Sequence, residues 1–395
     1  MNPLITPQQA DALLGDALPA LGTEHIPLGE AIGRVLAEPL LADRPLPPFD
    51  RIMMDGITFP MGVATRTSGS LELAGFHPAG APAPGALAPG TCWETGTGAV
   101  LPPDCDTVVP VELIRREGRT VTFDPAECEV GRHIHPLGSD YCAGAELVPS
   151  GRTLGARECS VAASVGAAKV KVNALPRIAI FTTGDEIVPF ASTPESHQIR
   201  QSNGPALTAA LAALGIPTVR HQHLPDDETL QKNALGEALA HSDLILCCGG
   251  ISKGKHDHVR AAVTSHLGDP AFHGIAQRPG KPLAFWAGPP PVFALPGNPM
   301  SVLVCFHRYV VPFLHALSGG GSPPLQARLA EDVSFPPPLA FFLPVSLDRQ
   351  QQAQPRPLSN SGDFATAISS TGFLELPAGQ DHFAAGFEAN YHPWL

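Results

Sequence analysis

The chemically richest part of the chain reads DLILCCGGISKGKHD and ends at Asp257. Gly249 and Gly250 allow the backbone to approach a ligand closely, and their N–H groups can hold an anion. Lys253 and Lys255 add positive charge beside the glycines, and the carboxylate of Asp257 can bind a metal ion. A Gly-Gly pair also occurs in ordinary turns between a strand and a helix, so these residues alone leave that alternative open.

The chain is acidic overall but basic around this stretch. Its formal net charge of −12 argues against a general nucleic-acid binder, because such proteins carry a basic footprint. In the window 253–281, five basic residues and two acidic ones give a local charge of +3. A basic cluster beside a glycine-rich loop predicts that a small anion binds there, and a chance cluster on a solvated face is the alternative.

Alternating strand and helix patterns place the glycine loop at a strand end. The apolar run Leu244–Cys248 has the length and composition of a strand buried on both faces. From Arg177 onward the order β-α-β-α-β-α-β-β-α predicts a doubly wound, mostly parallel α/β sheet over residues 176–318. Ligands of such sheets bind beyond the carboxyl ends of the strands, so these loops form the predicted site.

Other strand ends in this region also carry polar residues. Glu186 follows the first strand, and Asp226 and Asp227 begin a helix after the second, where acidic residues suit the helix dipole. In the sequence PGNP, Asn298 is a natural N-cap and Pro299 fits the first helical turn. The start of that helix is a second predicted anion site.

The remaining segments predict an N-terminal domain that is partly helical and partly extended, and two β domains. Thr6 can cap a helix that starts at Pro7, and residues 26–40 are predicted to form a second helix. Short β-like runs separated by Gly and Pro follow, and the C-terminal segment is predicted to be a small β-barrel or sandwich. The predicted domains are 1–48 with 137–175 (N-terminal linker or dimerisation domain), 49–136 (inserted β domain), 176–318 (α/β sheet domain) and 325–395 (C-terminal β domain).

Composition indicates a reduced, cytoplasmic globular protein. The eight cysteines form no C-x-x-C pair and no zinc-binding spacing. Asp11 and Asp16 stand where a signal peptide would have basic residues and an apolar core. The most apolar stretch, 302–317, contains His307 and Arg308 and is too polar to be expected to span a membrane.

Seven sequence motifs occur in a fixed order along nearly the whole chain. They are PPFDRIMMDG, TGAVLPPDCDTVV, GSDYCAG, TTGDE, GGISKGKHD, PGKP and LPGNPMS. In this order they resemble the molybdopterin molybdenumtransferase family, whose eukaryotic relatives include the E domain of gephyrin. The sheet domain is also similar to the stand-alone molybdopterin adenylyltransferase, which lacks the flanking β domains.

The resemblance implies the last step of molybdenum-cofactor assembly. In that step molybdate is inserted into adenylated molybdopterin and AMP is released, with a divalent cation such as Mg²⁺ required. Hydrolysis of a phosphoanhydride needs a cation near the phosphate oxygens, and Mg²⁺ prefers oxygen ligands. The implied metal ligands are Glu186, Asp226 and Asp257. For Asp226, simple helix capping remains an open alternative.

The resemblance implies further site residues. Asp55, Thr97 and Asp140 match family positions outside the sheet domain and join the three metal ligands as implied catalytic residues. The implied substrate-binding residues, among which Arg278, Lys281 and Ser301 are candidates to hold molybdate, are Gly249, Gly250, Ser252, Lys253, Lys255, Arg278, Lys281, Pro296, Gly297, Asn298 and Ser301.

The chain departs from the usual family pattern at three positions. Ile57 stands where a tyrosine is common, and Lys253 and Lys255 stand where a small or apolar residue and an acid are common. The added positive charge favours anion binding and leaves open a paralogue that inserts tungstate. A pterin-binding scaffold without turnover is disfavoured by the retained carboxylates, and a nucleotidyltransferase is disfavoured by the two β domains.

Relatives of this family are dimers in which one subunit's sheet domain shares a cleft with the other subunit's β domain. The resemblance therefore implies a homodimer with two equivalent composite sites. A site built within one chain is the alternative. Other proteins of molybdenum-cofactor biosynthesis are further implied partners, whereas nucleic acid and membranes are not expected to be.

Overall fold

The computed structural model describes residues 4–251, 258–321, 324–356 and 363–395. The chain divides into two compact units, which we call the sheet unit and the inserted unit. The sheet unit comprises Met1–Ala37, Gly151–Gly155 and Lys171–Leu395, and the inserted unit comprises Glu38–Ser150 and Ala156–Val170. Four predicted site residues lie outside the described ranges, namely Ser252, Lys253, Lys255 and Asp257.

An open six-stranded sheet forms the centre of the sheet unit. The central strand Leu244–Cys248 pairs in parallel with Ile178–Thr183 on one side and Val292–Leu295 on the other. Every residue of the central strand is buried, as expected where helices cover both faces. In spatial order the strands are Thr218–Leu224, Ile178–Thr183, Leu244–Cys248, Val292–Leu295, Ala284–Trp286 and Phe272–His273. Each of the last two is antiparallel to the strand before it in this order.

Helices pack on both faces of the open sheet, which confirms the doubly wound, mostly parallel α/β fold. Alternate strand residues contribute to two separate apolar cores, so that Cys247 lies in one core and Cys248 in the other. The first core contains residues of the helices Pro7–Gly15, Asn203–Ala213, Pro299–Cys305 and Val311–Leu317. The second core contains residues of Glu228–His241 and His258–Leu267.

The helical run Pro299–Leu317 crosses the first core. Its middle segment, Phe306–Val310, is a π-helix that joins the two α-helical parts. Among the described residues it is the one helix long and apolar enough to cross a membrane, and 72% of its most apolar window is buried inside the protein. Such burial is typical of a core helix in a globular domain.

The C-terminal part of the sheet unit forms a closed five-stranded barrel. Closure comes from the antiparallel pairing of Ala340–Leu347 with Gly372–Leu376. The short strand Gln277–Arg278 pairs in parallel with the first two residues of Ala340–Leu347. Around the barrel the strands are Ala340–Leu347, Gln352–Pro355, Leu325–Leu329, Glu388–Pro393 and Gly372–Leu376. Other short strands of the sheet unit are Thr23–Pro27, Ile187–Val188, Ile199–Arg200, Val333–Ser334 and His382–Phe383.

The N-terminal segment confirms one predicted helix and contradicts the other. The helix Pro7–Gly15 has a capping box in which Thr6 and Gln9 exchange side-chain and backbone hydrogen bonds. The prediction of a second helix over residues 26–40 is wrong. That segment contains the end of a strand and a single 3₁₀ turn, Leu28–Glu30, and its Gly33 has a φ of +79°, which no α-helix allows.

A second six-stranded sheet forms the core of the inserted unit. Ser70–His77 and Thr91–Thr95 pair in parallel, and the other pairs are antiparallel. Phe59 and Phe123 stack in its core with ring centroids 5.0 Å apart. In spatial order the strands are Thr107–Pro110, Gly56–Phe59, Thr91–Thr95, Ser70–His77, Thr120–Phe123 and Ile114–Glu117. Other strands of this unit are Leu40–Leu41, Arg51–Ile52, Ile134–His135, Glu146–Val148 and Lys169–Asn173, and its helices are Met61–Arg66 and Ala156–Ser164. The boundary between the two units falls within the strand Lys169–Asn173, whose residues from Lys171 onward belong to the sheet unit.

Candidate functional site

Three neighbouring parallel strands of the open sheet end side by side. The N–H of Gly249, just after the central strand, donates to the carbonyl oxygen of Leu295 at 3.2 Å. Gly249 and Gly250 have φ angles of +91° and +63°, a region that residues with a side chain rarely adopt. The predicted glycine loop therefore lies at the carboxyl edge of the sheet, where ligands of this architecture bind.

The glycines also allow the strand ends to pack closely together. A Cβ atom on Gly249 would lie 2.9 Å from Thr183 Oγ1, and one on Gly250 would lie 2.6 Å from Val259 Cγ2. A Cβ atom on Gly297 would lie 3.7 Å from the Cα of Gly249. The first two distances are too short for a real Cβ atom, so local packing requires glycine at 249 and 250 independently of any ligand, whereas the distance at Gly297 is an ordinary van der Waals contact.

The loop PGNP connects the third strand end to the buried helical run. Asn298 occupies the N-cap position with extended backbone angles, and Pro299 is in the first turn, as predicted. The carbonyl of Gly297 accepts a 2.8 Å hydrogen bond from Nδ2 of Asn203, a buried residue at the start of the helix Asn203–Ala213. Ser301 lies in the first turn of the same helical run and is 5% exposed.

The acidic residues at the first two strand ends have different local roles. Asp227 is the N-cap of its helix, and its Oδ1 accepts from the N–H of Leu230 at 2.8 Å. The capping role considered for Asp226 therefore belongs to Asp227, while the N–H of Asp226 donates to Asp185 Oδ1 at 3.0 Å. The exposed carboxylate of Glu186 folds back over Gly184, where a Cβ atom would lie 2.8 Å from Glu186 Oε2.

Two of the three implied metal ligands can be placed. Glu186 and Asp226 follow adjacent parallel strands and offer carboxylate oxygens, which are the hard ligands that Mg²⁺ prefers. Within the described ranges, no group of three or more His, Cys, Asp or Glu side chains is arranged to hold a metal ion. The third implied ligand, Asp257, lies outside those ranges.

A buried polar cluster fixes the loop that carries Arg278 and Lys281. Gln277 Nε2 donates to the carbonyl of Pro279 at 3.1 Å, and Gln277 Oε1 accepts from the hydroxyl of Tyr309. Burial raises the pKa of Tyr309, so this hydroxyl stays protonated and remains a donor. The side chains of Arg278 and Lys281 themselves are exposed. The cluster thus fixes the backbone of the loop, while the charged side chains of Arg278 and Lys281 face solvent.

Gly280 allows this loop to contact the helical run directly. Its φ is +88°, and a Cβ atom there would lie 2.4 Å from Cys305 Sγ and 3.8 Å from the carbonyl oxygen of Ser301. The structure therefore brings the Arg278 to Lys281 loop beside the helix that contains Ser301. These three candidate molybdate ligands belong to two adjoining segments of the sheet unit.

In the inserted unit, Asp55 and Thr97 form a direct pair. Asp55 Oδ1 accepts from the backbone N–H of Thr97 at 2.6 Å and from its hydroxyl at 2.8 Å. These bonds, the backbone one first, lower the pKa of Asp55 below its ordinary value. The carboxylate is therefore held ionised and in a fixed orientation.

Asp140 is oriented by a histidine that the sequence analysis did not include. His135 Nε2 lies 2.8 Å from Asp140 Oδ1, and Arg51 Nη2 lies 3.0 Å from His135 Nδ1. Because a guanidinium is only a donor, Nδ1 accepts and Nε2 carries the hydrogen that is donated to Asp140. The spacing of five residues between histidine and aspartate was the only sequence signal for this contact.

A cavity of about 350 Å³ lies next to Asp55 in the inserted unit. Its wall is mostly apolar and includes Ile57 and Phe76, while Arg116 and Glu94 add an ion pair at 3.1 Å. Ile57 is fully buried and stands at the position where tyrosine is common in the family that the chain resembles. Isoleucine is smaller than tyrosine and lacks its hydroxyl, so the wall of the cavity is apolar at this position.

Three family profiles match almost the whole chain. The MoeA N-terminal region (domain I and II) matches residues 5–166, and the MoeA C-terminal region (domain IV) matches residues 326–394. Between them, residues 179–316 match the probable molybdopterin binding domain. The open sheet and its glycine loops therefore belong to the molybdopterin-binding class of α/β domains.

Named relatives and solved structures agree with these profiles. A molybdopterin molybdenumtransferase of Synechocystis sp. is 37% identical and covers 95% of this chain and 96% of its own length. The gephyrin of Dictyostelium discoideum is 28% identical over 75% of this chain and 47% of its own. The crystal structure of a molybdopterin biosynthesis moea protein from Pyrococcus horikosii superposes with a TM-score of 0.85 at 30% identity, and each chain covers 99% of the other. The chain belongs to the molybdopterin molybdenumtransferase (MoeA) family, and its role is that of a transferase in molybdenum-cofactor biosynthesis.

Proposed function

We propose that this chain inserts molybdate into adenylated molybdopterin and releases AMP. The observation that carries the proposal is the convergence of three strand ends, where Gly249 packs against Thr183 on one side and Gly297 on the other. The buried helical run starts beside these glycines, and the N–H groups at the start of a helix can hold an anion. The names of the relatives identify which anionic substrates to test first.

Molybdate is held, in this proposal, by cations that the fold fixes in place. Arg278 and Lys281 supply positive charge, and Ser301 supplies a hydroxyl from the adjoining helix. The support is the buried cluster under their loop, because a fixed backbone leaves fewer conformations to be lost when a dianion binds. The other proposed substrate-binding residues are Gly249, Gly250, Ser252, Lys253, Lys255, Pro296, Gly297 and Asn298.

Hydrolysis of the adenylate needs a neutral or positive environment at the phosphate oxygens. Glu186, Asp226 and Asp257 would hold Mg²⁺ or another divalent cation, which supplies that charge neutralisation. Their oxygen-only donor set and the adjacent strand ends of the first two support this assignment. Asp55, Thr97 and Asp140 are proposed as catalytic residues of the inserted unit, supported by the hydrogen bonds that orient both carboxylates.

The assembly and organisation that we propose follow the family resemblance. The chain forms a homodimer in the cytoplasm, and it works with other proteins of molybdenum-cofactor biosynthesis. Its four domains are 1–48 with 137–175, 49–136, 176–318 and 325–395. Family profiles that end at residue 166, cover 179–316 and begin again at 326 support the boundaries of the domains 176–318 and 325–395.

The direct test is incubation of the purified protein with adenylated molybdopterin, Mg²⁺ and molybdate. We expect release of AMP and formation of active molybdenum cofactor, both dependent on the divalent cation. Binding of the pterin without AMP release would contradict the proposal in favour of a scaffold. Parallel reactions with tungstate determine which oxyanion the chain prefers.

Lys281→Ala tests the oxyanion site. Because the substitution removes a cation but leaves the buried cluster intact, we expect the molybdate concentration for half-maximal activity to rise about tenfold, with weaker effects on pterin binding. Lys232→Ala, which removes an exposed lysine on the helix Glu228–His241, is the matched control. An equal response of the two variants to molybdate would contradict the assignment.

A further inference from the structure

Thr183, the last residue of the strand Ile178–Thr183, has an unusual hydroxyl. The residue is 4% exposed, and its Oγ1 is buried with no hydrogen-bond partner in the described part of the chain. The preceding hydroxyl differs, because Thr182 Oγ1 accepts from Gln201 Nε2 at 2.5 Å. A buried hydroxyl without a partner costs free energy in the folded protein, so its presence at a strand end requires an explanation.

The unpaired hydroxyl lies against the glycine loop of the candidate site. A Cβ atom on Gly249 would lie 2.9 Å from Thr183 Oγ1, and one on Gly250 would lie 3.3 Å from it. Both glycines have positive φ, and neither has a side chain that a shift of the loop would have to displace. A small backbone movement of this loop is therefore the simplest way to open the hydroxyl to a ligand.

We propose that Thr183 is a substrate-binding residue whose hydroxyl donates a hydrogen bond to a tetrahedral oxyanion bound at the Gly249–Gly250 loop. This inference rests on the proposed function and adds one residue to its binding site. The shared chemistry is that of a phosphate group of the adenylated pterin or of molybdate, both of which present charged oxygen acceptors. Hydrogen bonds to charged acceptors are stronger than those between neutral groups. The bound anion therefore gives the Thr183 hydroxyl the hydrogen-bond acceptor that it lacks in the free protein.

A helix start beside the loop favours an anion over a neutral ligand. Gly297 packs against Gly249, and the buried helical run begins two residues later at Pro299. Its N-terminal N–H groups carry partial positive charge, which adds to the field at the same strand ends. The unpaired Thr183 hydroxyl is the independent observation, because packing of the glycines requires no donor at this position.

Thr183→Val tests the proposal because valine keeps the shape and removes only the hydroxyl. We expect a melting temperature equal to or above that of the wild type, since a buried unpaired polar atom is lost. Affinity for the oxyanion should nevertheless fall by about tenfold or more, and Thr183→Ser should retain it. Thr264→Val removes another buried unpaired hydroxyl, on the helix His258–Leu267, and should leave the affinity unchanged.

The measurement is calorimetric titration of each protein with AMP alone and with molybdate alone. Loss of affinity in one titration identifies which oxyanion contacts Thr183. Wild-type affinity of Thr183→Val for both anions would overturn the proposal, as would a wild-type protein that binds neither. If the wild type binds these anions but releases no AMP from adenylated molybdopterin, the proposed function is refuted. The role of Thr183 is still tested in that case, because the titrations measure the affinity for each anion and not turnover.

Discussion

At the scale of single residues, the pair formed by Asp55 and Thr97 makes a prediction about acid sensitivity. A carboxylate with a lowered pKa stays ionised to lower pH, so an activity that needs ionised Asp55 persists further into the acid range. Thr97→Val removes the side-chain hydrogen bond and keeps the backbone one. We therefore expect the acid limb of the pH profile of AMP release to move to higher pH.

Thr97→Ser is the control for this experiment because it keeps the hydroxyl donor. Its pH profile should coincide with that of the wild type. An acid limb that does not move in Thr97→Val would show that Asp55 does not limit activity at low pH.

A second residue-scale prediction concerns His135, which positions Asp140. Removal of the imidazole in His135→Ala frees the carboxylate to rotate, so we expect kcat to fall about tenfold with little change in KM. His135→Gln places an amide N–H near the position of Nε2 and should recover part of the loss. His133→Asn is the control, since His133 has a φ of +62° that asparagine tolerates. Equal activity of His135→Ala and wild type would remove Asp140 from the catalytic set.

The individual contacts show what the sequence could and could not predict. Asp55 and Thr97 were identified by their motifs, but nothing in a linear sequence specifies that one carboxylate oxygen accepts two bonds from a residue 42 positions away. The role of His135 was not predicted, because a histidine five residues before an aspartate has no characteristic local signature. Thr183 was missed because a threonine at a strand end looks ordinary until its missing hydrogen bond is seen.

At the scale of elements, local composition decided which predictions held. The central strand Leu244–Cys248 was predicted because a run of apolar residues is needed wherever both faces are covered. The helix predicted over 26–40 failed because apolar spacing was given more weight than its glycines, and Gly33 adopts a left-handed conformation. Closure of the barrel depends on pairing between Ala340–Leu347 and Gly372–Leu376, and such long-range pairing has no local signature.

One buried ion cluster joins several elements of the sheet unit. Arg308, from the π-helical segment, donates to Glu375 of the barrel at 2.7 Å and to Asp11 of the first helix at 2.8 Å. His392 Nε2 lies 3.1 Å from the same glutamate. Burial alone would raise the pKa of Glu375, but the hydrogen bond from His392 and the charge of Arg308 lower it to about 2. The open sheet and the barrel are thus linked through one guanidinium.

Arg308→Met should strongly destabilise the sheet unit. The substitution leaves the buried carboxylate of Glu375 without its cation, which costs about 3 to 5 kcal/mol in comparable pairs. Arg328→Met is the control, because the ion pair of Arg328 with Glu388 is exposed and should change stability by less than about 1 kcal/mol. Chemical denaturation of both variants gives the comparison, and similar losses would show that the buried cluster has no special role.

The same cluster predicts a defined response to acid. A carboxyl group whose pKa is lowered on folding stabilises the protein fully at a pH above its pKa in the unfolded state. That contribution is lost as the pH falls through the pKa in the folded state. For Glu375 this loss of stability is expected between pH 4.5, its ordinary pKa, and about pH 2, its lowered pKa. In Glu375→Gln this part of the decline in melting temperature should be absent. If the melting temperature of Glu375→Gln falls as steeply as that of the wild type over this pH range, other carboxylates are responsible for the acid sensitivity.

At the scale of the whole molecule, the residues proposed for catalysis are divided between two compact units. Asp55, Thr97 and Asp140 belong to the inserted unit, whereas Glu186 and Asp226 belong to the sheet unit. The hydrogen bonds that orient Asp55 and Asp140 come from other residues of the inserted unit. The near-complete coverage of the Pyrococcus horikosii protein shows that this whole arrangement of segments recurs in a related chain.

The division leads to a prediction about assembly. If the homodimer proposed from the resemblance shares each site between subunits, Asp55 of one subunit acts with Asp257 of the other. Asp55→Asn and Asp257→Asn proteins, each nearly inactive alone, should then regain activity when they are co-expressed. A mixed dimer contains one site with both aspartates intact and one site with neither.

The expected ceiling is about one quarter of wild-type activity, because random pairing makes about half of the dimers mixed and each has one intact site of two. The measurement is AMP release by mixed dimers purified through two different affinity tags, which separates them from the parent homodimers and raises the expected value to about one half. Co-expression of Asp55→Asn with Asp55→Asn/Asp257→Asn is the control, since no pairing of those chains restores a site. Mixed dimers that form but stay inactive would show that each chain builds its own complete site.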